Sequence, residues 1–235
     1  MNMTLALLRV LPWLDWLALL AFVTGWFGYV TFARRRARLH PSILGSTNRI
    51  RREWMLQATY REVRVIDGVV VQNLSTSPSF FASTTILIVG GLLAALSANE
   101  KASTLVREIP FAAQTSSQVF DLKLVLILVI MVFAFFRFTW SMRQYTFGAL
   151  LVASAPEMSV FAAGQASRED FADRAGRVMG LAAESFNDGL RAYYFSFAAV
   201  AWFFSPWMLM LATLFVISIL FRREFQSEML AVLNG

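Results

Sequence analysis

A chain of 235 residues that is 57% hydrophobic and 15% charged departs from an ordinary soluble domain, about 45–50% apolar and about 25% charged, in the direction that lipid as solvent demands. It has no cysteine and a single histidine, His40, which excludes disulfides and cysteine nucleophiles and leaves little for a zinc site or a histidine triad. The net charge of +6 is almost wholly arginine, the two lysines being Lys101 and Lys123; these arginines crowd beside apolar runs, which points to topology and anionic lipid and away from nucleic acid.

The first apolar run, Trp13 to Ala33, is followed by Arg34, Arg35, Arg36 and Arg38. Roughly 20 helical residues cross a hydrocarbon core. A cleaved signal would carry its charges before the apolar stretch, so the reversed order predicts a retained anchor with its N-terminus outside. Asp15, between Trp13 and Trp16, marks the outer interface or, alternatively, a proton or cation site.

Residues 34–78 hold Arg34, Arg35, Arg36, Arg38, Arg49, Arg51, Arg52, Arg61 and Arg64 against Glu53, Glu62 and Asp67. The positive-inside rule places this connection in the cytoplasm. Arg34 to Arg38 and Arg49 to Arg52 are expected to meet anionic headgroups, at about 1 kcal/mol each near the surface. From Asn48 to Leu74, apolar residues recur about once per helical turn at Ile50, Trp54, Ala58, Ile66, Val70 and Leu74, with Asp67-Gly68 as the expected interruption. The stretch around Trp54 either lies on the membrane or packs on a second cytoplasmic helix.

The second span, 79–98, is opened by Ser77-Pro78, since proline suits a first helical turn. Its Ser83-Thr84-Thr85 and Gly90-Gly91 serve close helix packing or line a pore. Residues 99–121, with Lys101 and Arg107 against Glu100, Glu108 and Asp121, belong outside.

The third span, 122–140, begins beside Lys123 and carries Arg137 near its exit. Arg137 either snorkels toward phosphates or faces inward and pairs with Glu184 or Asp188. With Arg143 and Arg191 these residues make the candidate polar cluster. A helical extension from Tyr145 to Val152 should end before Pro156. In the second cytoplasmic connection, 141–192, Ser167-Arg168-Glu169-Asp170 has capping-box spacing, with an acid in place of the usual Glu or Gln. Phe171, Ala175, Val178, Ala182, Phe186 and Leu190 then form a stripe, opposite Asp170, Asp173, Arg174 and Arg177. Asn187, Asp188 and Arg191 make either a polar vestibule or a helix entry, with Tyr193 and Tyr194 in an interfacial belt.

The fourth run, 193–221, contains Pro206 and reads as one tilted or kinked span in preference to a re-entrant hairpin. A kink at Ser205-Pro206 frees carbonyls that either bind an ion or are absorbed in packing. Both termini are then periplasmic, which leaves Arg222 and Arg223 outside, against the rule. The expected fold is all-α: a polytopic helical membrane protein, one membrane domain over 1–235, with four transmembrane helices plus cytoplasmic amphipathic helices.

Four strings carry a likeness: NRIRREWM (48–55), PSFFASTTILIVGGLL (78–93), FFRFTWSMRQY (135–145) and FNDGLRAYYFSFAAVAWFFSPW (186–207). On these the chain resembles the bacterial membrane-protein family catalogued as domain of unknown function 599, from about Trp13 to Phe225. The tail beyond Phe225 departs from it. The resemblance implies a multispan protein of the bacterial inner membrane and brings no activity, substrate or catalytic residue.

No P-loop, dinucleotide fingerprint or nucleophile elbow is present, and Glu169 and Asp170, being adjacent, point to different helix faces. The expectation is therefore no enzyme, no catalytic or metal-ligating residue and no cofactor. The function expected is an oligomeric channel or transporter for an ion or small solute, since Arg137 and the acids before the fourth span allow an intramembrane polar cluster; the alternative is a non-catalytic accessory or scaffold subunit binding lipid or another membrane complex. The partners expected are anionic phospholipid and either further copies of the chain or another membrane complex. With few spans for a monomeric transporter, transport would call for oligomerisation.

Overall fold

The computed structural model describes residues 11–37, 39–98 and 116–234, and among these every regular element is helical. In chain order they are α1 (Trp13–Arg36), α2 (Ile43–Ala58), α3 (Val65–Ser97), α4 (Ser117–Ala153), α5 (Met158–Ala162) and α6 (Arg168–Val200). A 3₁₀ turn at Ala201–Phe203 follows, then α7 (Pro206–Phe225) and α8 (Glu228–Asn234). Among the described residues, three helices, α1, α3 and α4, are long and apolar enough to cross a membrane.

Contacts divide the chain into two compact units, and four helices, α3, α4, α6 and (by its last residues) α7, contribute to both. The first draws on Met1–Arg36, Thr85–Ala134 and Arg191–Arg222. Its core is aromatic: Trp26 stacks on Phe195 at 5.2 Å between centroids and meets Phe133 edge-on. Phe22 also sets its edge against Phe195. Direction follows from which levels meet. Asp15 bonds Trp202, Gly25 faces Thr213 and Ile217, and Arg36 stacks over Phe221. Helices α1 and α7 therefore run parallel, while the end of α6 runs against them.

The second unit comprises Ala37–Thr84, Phe135–Leu190 and Arg223–Gly235. Met55, Val71, Tyr145, Phe161, Phe171 and Met179 are in its buried core. Glycines let α6 approach α2: a Cβ on Gly176 would lie 2.8 Å from the Arg52 Cα, and one on Gly180 would lie 3.0 Å from Asn48 Oδ1. Trp54 packs against this core, the second of its two expected settings. Ser42 caps α2 by accepting from the Gly45 N–H at 3.0 Å.

Several boundaries differ from expectation. The break after α2 falls at Thr59–Arg64, and Asp67-Gly68 lies inside α3. Asp67 is fully buried in the first turn of α3, where it accepts from Trp54 Nε1 at 2.7 Å and pairs with Arg61. A carboxylate near a helix N-terminus is favoured by the helix dipole, so the residue expected to interrupt a helix begins one. Pro78 does not open a helix; it sits within α3. Helix α4 does run on past Val152, ending at Ala153, and Ser167 caps α6 by accepting from the Asp170 N–H at 3.1 Å.

The fourth apolar run is not one span. Helix α6 continues unbroken from Arg168 to Val200, and the chain leaves it through the 3₁₀ turn. Proline disfavours helical backbone in the residue before it but fits a first helical turn. Ser205 accordingly caps α7, accepting from the Met208 N–H at 3.1 Å, with Pro206 first in the new helix.

The expected periplasmic C-terminus does not agree with the packing. In the second unit Ser46 Oγ lies 2.9 Å from Asn234 Oδ1, and Arg49 donates to the Leu233 carbonyl at 3.3 Å. Groups in hydrogen-bond contact cannot be separated by a core about 30 Å thick, so α8 lies on the same side as the 34–78 connection. Arg222 likewise shares an end of the first unit with Phe32 and Arg36, which removes the expected conflict with the arginine rule. Arg38 and residues 99–115, read above as a lipid contact and an outer connection, lie outside the described residues.

Candidate functional site

Charged residues inside apolar helices are costly and need partners, so α4 is where function would show. Its positions 137, 141 and 144 follow one another at helical spacing and share a face. Arg137 donates to Asp188 Oδ2 at 2.6 Å and lies 3.4 Å from Ser185 Oγ. Ser185 Oγ and the Gln144 side-chain amide are 2.6 Å apart, and Ser141 donates to the Ala182 carbonyl at 2.7 Å. Ser185 and Asp188 stand three apart on α6, so one turn of that helix meets two turns of α4. Gly189 permits this closeness, since a Cβ there would lie 2.5 Å from the Phe138 ring.

Among the five residues expected to cluster, Arg137 and Asp188 form an ion pair at 2.6 Å. Arg143 sets its guanidinium 5.7 Å from the Phe147 ring. Glu184 acts electrostatically on Arg51. Arg191 is buried and belongs to the first unit.

The first unit holds a second polar station. Pro206 has no N–H, so the carbonyl four residues earlier, on Trp202, has no helical donor. Lys123 Nζ, buried at 2% exposure, donates to that carbonyl at 2.9 Å and lies 5.4 Å from the Trp202 ring. Trp202 Nε1 in turn donates to Asp15 Oδ1 at 2.6 Å. The carbonyl freed at Pro206 thus already has a cation on it, the protein's own ammonium. Thr85 and Tyr193 bond at 2.6 Å, the packing role expected of the hydroxyls in α3. At Gly90 and Gly91 no heavy atom lies within 4 Å of a would-be Cβ.

Between Lys123 and Arg137, α4 buries Ile127, Ile130 and Ala134.

The arginines assigned to lipid divide. Arg34 and Arg35 are exposed, and Arg36 lies 5.5 Å from the Phe221 ring. Arg49 bonds α8, Arg51 donates to Thr47 and Asn48, and Arg52 pairs with Glu169 and Asp173. Burial pulls the Arg51 guanidinium below its ordinary pKa, opposed by Tyr145 and Glu184. Hydrogen bonding to Asp173, then to Glu169, raises that of Arg52. Three further arginines staple the second unit internally: Arg61 to Asp67, Arg64 to the Ala155 and Pro156 carbonyls, and Arg168 to Thr59.

Sequence reasoning named Arg137 and Asp188 but missed Ser185, Gln144 and the role of Lys123. The seven-residue interval from Arg137 to Gln144 carried a signal for one. Nothing local linked Lys123 to Trp202, 79 positions away.

No curated protein and no solved structure matches the chain. A family model described as "Protein of unknown function, DUF599" matches residues 17–229, which takes in the start of the tail beyond Phe225. The chain belongs to that family.

Proposed function

We propose that the protein is a non-catalytic component of the bacterial inner membrane, an accessory or scaffold that binds anionic phospholipid and carries a folded cytoplasmic layer. The observation that carries this reading is the Lys123 ammonium seated on the proline-freed Trp202 carbonyl at 2.9 Å. A helix break with free carbonyls is where a transporter would coordinate its ion, and here that place is filled by the chain itself. Arginine at the shared end of α1 and α7 supports placing that end in the cytoplasm.

A second reading, an oligomeric conduit for an ion or small solute, draws on one observation: Arg137 faces Asp188 and does not simply snorkel. Flux through purified protein in liposomes separates the two. The proposal expects no anion or cation flux above empty vesicles. Flux abolished by Arg137→Ala would replace it with the conduit.

A further inference from the structure

In the first unit, α1 and α7 touch closely at one level and part at the next. A Cβ on Gly25 would lie 3.1 Å from Thr213 Cγ2 and 3.3 Å from Ile217 Cδ1, whereas one on Gly28 would meet nothing within 4 Å. Beyond that crossing a cleft of about 590 Å³ opens, walled by Tyr29, Phe32, Ile217 and Phe221, with Arg222 at its end. That volume falls within the range of about 300–1,000 Å³ typical of ligand sites. Among the described residues no carboxylate lines the cleft. Arg36 stands over both Phe32 and Phe221, at 5.9 and 5.5 Å from their centroids, so guanidinium groups from both helices gather at one end of an apolar slot.

We infer that this cleft is a specific site for one anionic phospholipid, an acyl chain lying along Gly28 against the packed Phe32–Phe221 pair, whose centroids are 6.2 Å apart, and the phosphate meeting Arg222. The occupant follows from two features together. The slot lies along α1, whose outward residues Leu20, Val23 and Phe27 are exposed and apolar, so hydrocarbon is the solvent that fills it. Among the described residues the only charged group lining the slot is Arg222, and a planar guanidinium fork matches phosphate. From Gly25 to Arg36 the helix rises roughly 16 Å, enough for most of an acyl chain.

This inference rests on the anionic-lipid reading above, and the test separates the two. The full-length protein, delipidated in detergent and offered phosphatidylglycerol or phosphatidylcholine, is examined by native mass spectrometry for a retained lipid. One phosphatidylglycerol should survive where phosphatidylcholine does not. Gly28→Leu, which fills the slot, should abolish retention, and Ser218→Leu, on the exposed rim of α7, should do the same if the first variant fails to fold. Arg222→Gln should weaken the preference for phosphatidylglycerol by roughly fivefold, the effect of one arginine at a membrane surface. Undiminished retention in folded Gly28→Leu and Ser218→Leu would overturn the cleft; if Arg34→Gln/Arg35→Gln then removed it, the broader lipid reading would stand without it. Loss of a dimer in Gly28→Leu with lipid unchanged would assign the slot to a second copy and overturn the inference. A parent protein with no preference for phosphatidylglycerol would remove both readings.

Discussion

Ser46 and Asn234 stand 188 positions apart and meet at 2.9 Å through their side chains, tying the first turn of α2 to the last turn of α8. Arg49 reinforces the contact from the next turn of α2 by reaching Asn234 Oδ1 and the Leu233 carbonyl. The connection after α1 and the segment after α7 are therefore on one side. An odd number of crossings follows if the N-terminus lies opposite.

Topology reporters test this directly. Fusions after Tyr60 and after Asn234 should report the same compartment, the cytoplasm by the arginine rule. A C-terminal fusion active only in the periplasm, with the Tyr60 fusion cytoplasmic, would contradict the packing of α8 on α2.

The Arg137–Asp188 pair should behave as a coupled unit. Arg137→Ala or Asp188→Ala alone strands a charge beside apolar helices, while the double variant strands none. With Arg137 partly exposed, each single change is expected to cost about 1–3 kcal/mol, and the double should cost less than their sum by about 0.5–3 kcal/mol. Unfolding in detergent micelles across the four-member cycle measures the coupling. Strict additivity would mean the pair contributes nothing.

Gly176 should not tolerate a side chain. Its missing Cβ is where the Arg52 backbone passes, and backbone cannot rotate away. Gly176→Val is expected to destabilise by about 1–3 kcal/mol or more through overpacking, whereas Gly90→Val, which meets open space, should be nearly neutral in detergent. Equal thermal melts for the two variants would show that α2 and α6 are not in backbone contact.

Trp202→Phe keeps most of the ring's bulk but removes the donor to Asp15. A buried acceptor left unsatisfied costs about 1–3 kcal/mol, so the variant should melt earlier than the parent. Adding Asp15→Asn should not lower it further by the same amount. If Trp202→Phe is as stable as the parent, the Asp15 bond has no structural weight.

Much of this architecture was legible one segment at a time. The apolar run of α1, the length of α4 and the Ser167 cap each depend on residues within a few turns of one another, and helical period or capping chemistry reads them directly. Arg137 and Asp188 could be named because a charge in an apolar helix demands a partner. The ends of helices were harder. Asp67-Gly68 looked like a breaker, but Trp54 and Arg61 hold the carboxylate at a helix start, and that is a tertiary fact.

The fourth run shows where local reading stops. Composition alone could say that Tyr193 to Phe221 is apolar and contains a proline. Whether the chain bends or breaks there depended on who would satisfy the Trp202 carbonyl, and the answer, Lys123, comes from a helix far away in sequence. The sequence by itself determined a helical membrane protein with arginine at selected helix ends, because solvent preference and periodicity act residue by residue. Only the tertiary structure decided that α8 packs on α2 and which charges face each other, because those depend on contacts between segments that no local pattern encodes.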